Sequence, residues 1–263
     1  MTLRDFGGWP PGPLHLAIGV FDGVHLGHRA LVRRLCEGAR AAGATALAAS
    51  FDPLPIQVLA PGAPASALSD AVERADLLRA AGADEVVLFT FDEAFASLSA
   101  REFVERVAAA GDVDRVVVGE DFQFGRGREG DVGLLRALGA ERGFGLDVVP
   151  PVSRDGSVVS STRIRNALLG GDVREAARLL GRPYAVPGRI VPGDRRGRAL
   201  GYPTINLIPP PERIQPRDGI YATRVEIGGR RHAAAASLGV RPTFGAGERR
   251  LEAFLLDFSG ELY

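Results

Sequence analysis

Ala17-Ile18-Gly19-Val20-Phe21-Asp22-Gly23-Val24-His25-Leu26-Gly27-His28 decides the fold of the first half of this chain. Leu14 to Phe21 reads as a buried strand. From His28 to Arg40 apolar residues return at helical period, with Ala30, Leu31, Leu35, Ala39 and Ala42 on the inner side. A strand, a glycine-containing turn and a helix place imidazoles and backbone N–H groups at a helix N-terminus, a ready site for phosphate. Gly23 and Gly27 let a nucleotide approach the backbone closely. A His-x-x-His spacing also suits a metal, but that needs a third ligand, and no helix-borne set is visible.

Working outward, strand and helix patterns alternate through residues 14–150. Candidate strands are Leu14–Phe21, Ala44–Phe51, Glu85–Phe89, Arg115–Val118 and Gly145–Val149, and candidate helices are Arg29–Ala41, Asp70–Ala80, Ala100–Ala109 and Val132–Glu141. This order predicts a doubly wound parallel sheet, whose ligands bind outside the carboxyl ends of the strands. Three motif candidates fall at such ends: His25/His28, Phe51-Asp52-Pro53 and Gly119-Glu120-Asp121-Phe122. Beyond Arg182-Pro183-Tyr184 the helical period disappears. Short apolar runs (Arg189–Val191, Tyr221–Ile227, His232–Leu238, Leu251–Phe258) separated by Gly/Pro-rich turns predict an antiparallel β domain, a small barrel. Gly181 to Val186 is the expected boundary, giving domains 1–182 and 183–263.

Composition excludes several classes. The 263 residues hold 32 basic and 32 acidic side chains, so no general attraction to nucleic acid or a membrane is expected. Every basic residue is arginine; the absence of lysine excludes a Schiff-base mechanism and a P-loop. Phosphate binding therefore falls to arginine, histidine and backbone. Cys36, the single cysteine, reads as a packed core thiol. With no signal peptide or long apolar span, the cytoplasm is the default expectation.

Further motifs carry chemistry. Val159-Ser160-Ser161-Thr162-Arg163-Ile164-Arg165 places N-cap residues and two arginines at a helix start, where the arginines oppose the dipole and an anionic ligand would offset them. Gly125-Arg126-Gly127-Arg128-Glu129-Gly130 matches G-x-G-x-x-G but comes too late after its strand, with no acidic residue closing a second strand at the required distance. It reads better as a mobile Gly/Arg loop near a phosphate. In Gly197-Arg198-Ala199-Leu200-Gly201-Tyr202-Pro203-Thr204-Ile205-Asn206, Thr204 and Asn206 leave one strand face, and such oxygen donors suit Mg²⁺ with nucleotide phosphates. Glu252 matters if it points at the same site.

Together with Ser50–Pro53, Ser237–Phe244 and Leu256-Asp257-Phe258, these motifs in this order resemble the prokaryotic bifunctional riboflavin kinase/FAD synthetase family from Leu14 to Tyr263. The resemblance implies an N-terminal FMN adenylyltransferase domain of the HxGH nucleotidyltransferase kind. There His25 and His28 would hold ATP phosphates, with Gly19, Phe21, Asp22, Gly23, Gly27, Ser161, Thr162 and Arg165 around them. Asp52, Asp121, Phe122, Phe124 and Gly125 would line the nucleotide and flavin site. It implies a C-terminal riboflavin kinase barrel with nucleotide contacts from Gly197, Arg198, Gly201 and Pro203, Thr204 and Asn206 at Mg²⁺, and Glu252 as base. ATP, riboflavin and FMN would be the substrates of a monomer or weak homo-oligomer. This chain has Leu54 and Ile56 where the family commonly has a histidine and an arginine, Ile205 for an alanine and Pro192 for a common histidine. Family members continue past the position of Tyr263 through strands and a helix, so an incomplete barrel is expected. Other readings are a monofunctional adenylyltransferase with a kinase remnant, a non-catalytic flavin-binding or nucleotide-binding protein, and a related nucleotidyltransferase using another phosphate ester.

Overall fold

The computed structural model describes residues 2–64, 66–191, 204–240, 249–256 and 258. Gly197, Arg198, Gly201, Pro203, Asp257 and the segment Arg241–Phe244 lie outside the described residues. Chain contacts divide the molecule into two units: Met1–Arg163 with Leu179–Gly181, and Ile164–Arg178 with Arg182–Tyr263.

The first unit runs β1 (Thr2–Arg4), β2 (Pro13–Ile18), α1 (Leu26–Ala42), β3 (Thr45–Asp52), α2 (Pro55–Leu59), α3 (Ala71–Ala80), β4 (Glu85–Thr90), α4 (Glu93–Ala96), α5 (Ala100–Ala110), β5 (Asp112–Gly119), α6 (Val132–Arg142), β6 (Gly145–Val149) and a small hairpin, β7 (Ser153–Arg154) with β8 (Ser157–Val158). Helix α7 (Ser161–Gly170) begins at the end of this unit, and α8 (Val173–Leu180) follows it. Six strands form one sheet in the order β1-β4-β3-β2-β5-β6, every pair parallel. The chain steps outward from β2 to β3 to β4, then returns to β5 on the other side of β2. That reversal places the switch point between β2 and β5.

Alternation along the strands sorts their side chains onto two faces. Leu14, Leu16 and Ile18 of β2 meet Phe103, Val104 and Val107 of α5 and Leu135 and Leu138 of α6. Ala17, with Ala46 and Ala48 of β3, faces Leu31, Val32, Leu35 and Ala39 of α1 and Leu78 of α3. The result is a parallel sheet buried on both faces, as the near-continuous apolar runs predict. Strand β2 ends at Ile18, three residues before the sequence pattern suggests. Its continuation turns sharply: Phe21, Gly23 and Val24 have φ of 51°, 77° and 39°.

The second unit contains β9 (Arg189–Val191), β10 (Thr204–Ile208), β11 (Gly219–Ile227), β12 (Arg230–Val240) and β13 (Arg249–Leu255). They form an antiparallel sheet in the order β11-β12-β13-β10-β9, and no pairing closes β9 onto β11 among the described residues. Gly228 and Gly229, at φ 55° and 77°, make the two-residue turn between β11 and β12. Ile205, Ala234, Ala236, Ala253 and Leu255 form the core of one sheet face.

Candidate active site

A cleft of about 1030 Å³ opens at the carboxyl ends of the parallel strands. His25 and His28 line one wall. His25 is the N-cap of α1: its Nδ1 accepts from the backbone N–H of Gly27 and His28 at 3.2 and 3.3 Å. A ring accepting at Nδ1 carries its neutral-form proton on Nε2, the atom left to donate. Two of the backbone N–H groups expected to meet phosphate are thus taken by His25 itself. The His28 ring stacks on that of His25, with centroids 3.6 Å apart and planes 18° apart, and Phe21 packs edge-on against it at 5.3 Å. Burial, and next the adjacent His25, push the His28 imidazole well below its ordinary pKa, so the ring is neutral at pH 7. Its Nδ1 is buried with no hydrogen-bond partner among the described residues. Gly27 makes this stack possible, because a Cβ there would sit 3.1 Å from Cε1 of His25.

Asp22 and Gly23 play a different part from the one expected. Neither lines the cleft. Asp22 is 1% exposed and its carboxylate accepts from the backbone N–H groups of Leu68 and Ser69 at 2.9 and 3.0 Å. Ser69 Oγ accepts from the Gly23 N–H at 2.9 Å, and Ser161 Oγ donates to the Asp22 carbonyl at 3.0 Å. These bonds tie the β2–α1 turn to the segment before α3 and to the start of α7. Arg74 of α3, also 1% exposed, donates to the carbonyls of Phe51 and Ser69, fixing the end of β3 to the same web.

Gly19, Phe21, Gly27, Asp121, Phe122, Phe124, Gly125 and Ser161 line the cleft as expected. Asp52, Thr162 and Arg165 are not among the lining residues; Asp52 pairs with Arg4 of β1 at 2.8 Å, and Arg165 falls in the second unit. Leu54 is buried at the start of α2, while its neighbours Pro55 and Leu59 line the cleft. Sequence reasoning named only Phe122 and Phe124 of the aromatic wall as lining residues. Phe51, Phe91, Phe95 and Phe103 join Phe122 and Phe124, which stack on each other at 5.5 Å, to make one aromatic surface. Phe91 and Phe95 follow a predicted strand directly, which was the available signal. Arg128 also lines the cleft.

In the second unit, strand register brings three predicted residues together. Asn206 lies directly opposite Glu252 across β10 and β13, and Thr204 is two residues along the same strand. All three occupy the face opposite the core that holds Ile205, Ala253 and Leu255. Asn206 is 4% exposed, and its Oδ1 has no hydrogen-bond partner among the described residues. Among the described residues no cluster of three or more His, Cys, Asp or Glu side chains suits a metal ion.

A doubly wound sheet with stacked imidazoles capping the helix at its switch point, joined to an antiparallel sheet bearing Thr, Asn and Glu in register, defines a two-unit nucleotide-dependent transferase. Residues 11–163 match the FAD synthetase family and residues 180–263 the riboflavin kinase family. A bifunctional riboflavin kinase/FMN adenylyltransferase from Pseudomonas fluorescens is 41% identical over 94% of this chain and 79% of its own length. The Escherichia coli K12 protein of the same description is 38% identical over 94% of this chain and 80% of its own. A crystal structure described as a macrolide-efflux protein from Streptococcus pneumoniae matches with a TM-score of 0.89 at 34% identity, covering 100% of this chain and 86% of that one. Among the described residues no helix is long and apolar enough to cross a membrane. The chain belongs to the bifunctional riboflavin kinase/FMN adenylyltransferase family.

Proposed function

We infer that this chain phosphorylates riboflavin to FMN and adenylylates FMN to FAD, using ATP in both steps. The observation that carries the second step is the stacked His25/His28 pair over the start of α1, facing an aromatic wall across one cleft. The imidazoles hold the ATP phosphates and the phenylalanines take the flavin ring. An oxygen of the FMN phosphate attacks the α-phosphorus, the bond from that phosphorus to the α–β bridging oxygen breaks, and pyrophosphate leaves. The attacking oxygen is already ionised, so no base is required; alignment and neutral N–H donors aimed at developing charge suffice. Ser161, which lines the same cleft, extends the phosphate-binding set at the start of α7.

The first step belongs to residues 183–263, as the second does to 1–182. Here the nucleophile is a neutral 5′-hydroxyl, and Glu252 accepts its proton as the γ-phosphoryl group transfers and ADP leaves. The Thr204 hydroxyl and the orphaned Oδ1 of Asn206 are hard oxygen donors that fit Mg²⁺, which when bound neutralises charge on the transferring phosphates. Incubation with riboflavin, ATP and Mg²⁺ followed by chromatography tests the reading: FMN and then FAD are expected. FMN alone would remove the adenylyl-transfer role; the absence of both products would overturn the kinase role, and no FAD from FMN and ATP supplied directly would overturn the other.

A further inference from the structure

Within the cleft one side chain is unaccounted for. Arg128 belongs to the Gly125–Gly130 loop, where Phe124 and Gly130 exchange backbone hydrogen bonds of 3.0 and 2.9 Å. The loop is clamped to the start of α5: the Arg126 N–H donates to the Leu98 carbonyl at 2.7 Å, and Glu129 accepts from the Ala100 N–H at 2.7 Å. Inside this clamp Arg128 has φ 62°, a left-handed conformation that a non-glycine residue seldom adopts. Arg128 lines the cleft. Several other arginines of this unit are paired: Arg101 with Glu141, Arg142 with Glu105, and Arg34 and Arg115 with Asp147. The Arg128 guanidinium has no partner among the described residues.

The charge around the cleft makes this position matter. Glu120 and Asp121 line it with negative charge, His28 is neutral, and Arg128 is the sole arginine among the described lining residues. Two anions must nevertheless enter together. The triphosphate has the α1 wall. Arg128 sits instead on the loop that continues from the stacked Phe122 and Phe124, the wall taken by the flavin.

We propose that Arg128 is the specificity-determining residue that receives the phosphate of FMN and makes the adenylyl-transfer site choose FMN over riboflavin. The inference rests on the two-step reading above. Because the same chain handles both flavins, discrimination has a purpose: riboflavin shares the ring but has no phosphate with which to attack, so it occupies the cleft unproductively. A guanidinium offers paired N–H donors to a phosphate and nothing comparable to an alcohol.

Arg128→Gly is the test of choice, since glycine relieves the left-handed backbone and keeps the fold. With FMN and ATP as substrates, KM for FMN should rise roughly 10–100-fold, the value of a charge-assisted contact. KM for ATP, kcat, the inhibition constant of riboflavin in the FAD-forming assay and riboflavin phosphorylation should each stay within about twofold. Arg128→Lys should restore part of the FMN affinity. An unchanged KM for FMN would overturn the proposal, as would an increase confined to ATP, which would assign Arg128 to the triphosphate. Wild-type protein that makes no FAD from FMN and ATP would instead refute the functional reading beneath it.

Discussion

Gly27→Ala isolates the geometry on which adenylyl transfer is proposed to depend. The added Cβ would stand 3.1 Å from Cε1 and 3.2 Å from Nδ1 of His25, inside ordinary contact distance. The ring cannot absorb this by a small slide, because the His28 ring lies 3.6 Å from it and Nδ1 is held by two backbone N–H groups. It must swing away and release the cap. Loss of the cap costs about 1 kcal/mol, and alanine for glycine in a helix returns up to about 1 kcal/mol. The thermal midpoint should therefore move by no more than about 4 °C. Catalysis has no such compensation. Displacing the Nε2 donor from the site of developing charge should lower kcat for FAD formation by roughly 10²–10³, about 3–4 kcal/mol. The assay is chromatographic FAD production from FMN and ATP beside a melting curve on the same sample. Turnover within about threefold of wild type at unchanged stability would show that the orientation of His25 is not what accelerates the reaction.

Other expectations follow from the same geometry. His28→Ala should reduce FAD formation by roughly 10²–10³ in a steady-state assay while leaving riboflavin phosphorylation intact. Glu252→Gln should lower riboflavin phosphorylation by roughly 10²–10⁴ and spare FMN adenylylation; equal loss of both would argue against separate sites. Asp22→Ala leaves the buried N–H groups of Leu68 and Ser69 without their acceptor and removes the largest of the carboxylate charges facing the buried Arg74, and should cost about 3–5 kcal/mol in urea unfolding. His28 has a lowered pKa in the folded chain, chiefly from burial, so the unfolded chain binds its proton first as pH falls. Stability should be complete above about pH 6.5 and decline below it, and the slope of thermal midpoint against pH should flatten in His28→Asn. His15 contributes with the same sign, lowered first by burial and then by Arg115.

The regular elements were legible because their periods are local. Strands β3 to β6 and helices α1, α3, α5 and α6 fall within a few residues of the sequence pattern, with Gly43 and Asp70 marking a helix end and a helix start. β1 was not legible, since three residues carry no period and its pairing partner β4 lies far along the chain. The same brevity hid α2 and α4. In the site, the histidine pair and the Gly119–Gly125 segment could be read as motifs. Their roles could not, because they depend on contacts between distant loops. Nothing local reveals that Asp22 turns inward to Leu68 and Ser69, or that Phe51, Phe91, Phe103 and Phe122 converge from four separate segments of the chain.

The placement of Glu252 shows how chemistry is inherited from packing. Asn206 and Glu252 share a face only in the observed register of β10 against β13. A slip of one residue would put Ala253 opposite Asn206 and move Glu252 to oppose a core position. It would also turn Ala253 and Leu255, which are 2% and 1% exposed, out of the core they share with Ile205. The apolar alternation thus excludes the slipped pairing on grounds unrelated to catalysis. A carboxylate able to take a proton from an alcohol is held beside an orphaned amide oxygen because the opposite face of the sheet must stay dry. The adenylyl-transfer site has no equivalent constraint. Its nucleophile arrives ionised, and the donors proposed for it are set by one helix cap and one glycine. Single substitutions there should therefore remove activity while leaving the fold, whereas shifting Glu252 relative to Asn206 would require repacking the sheet.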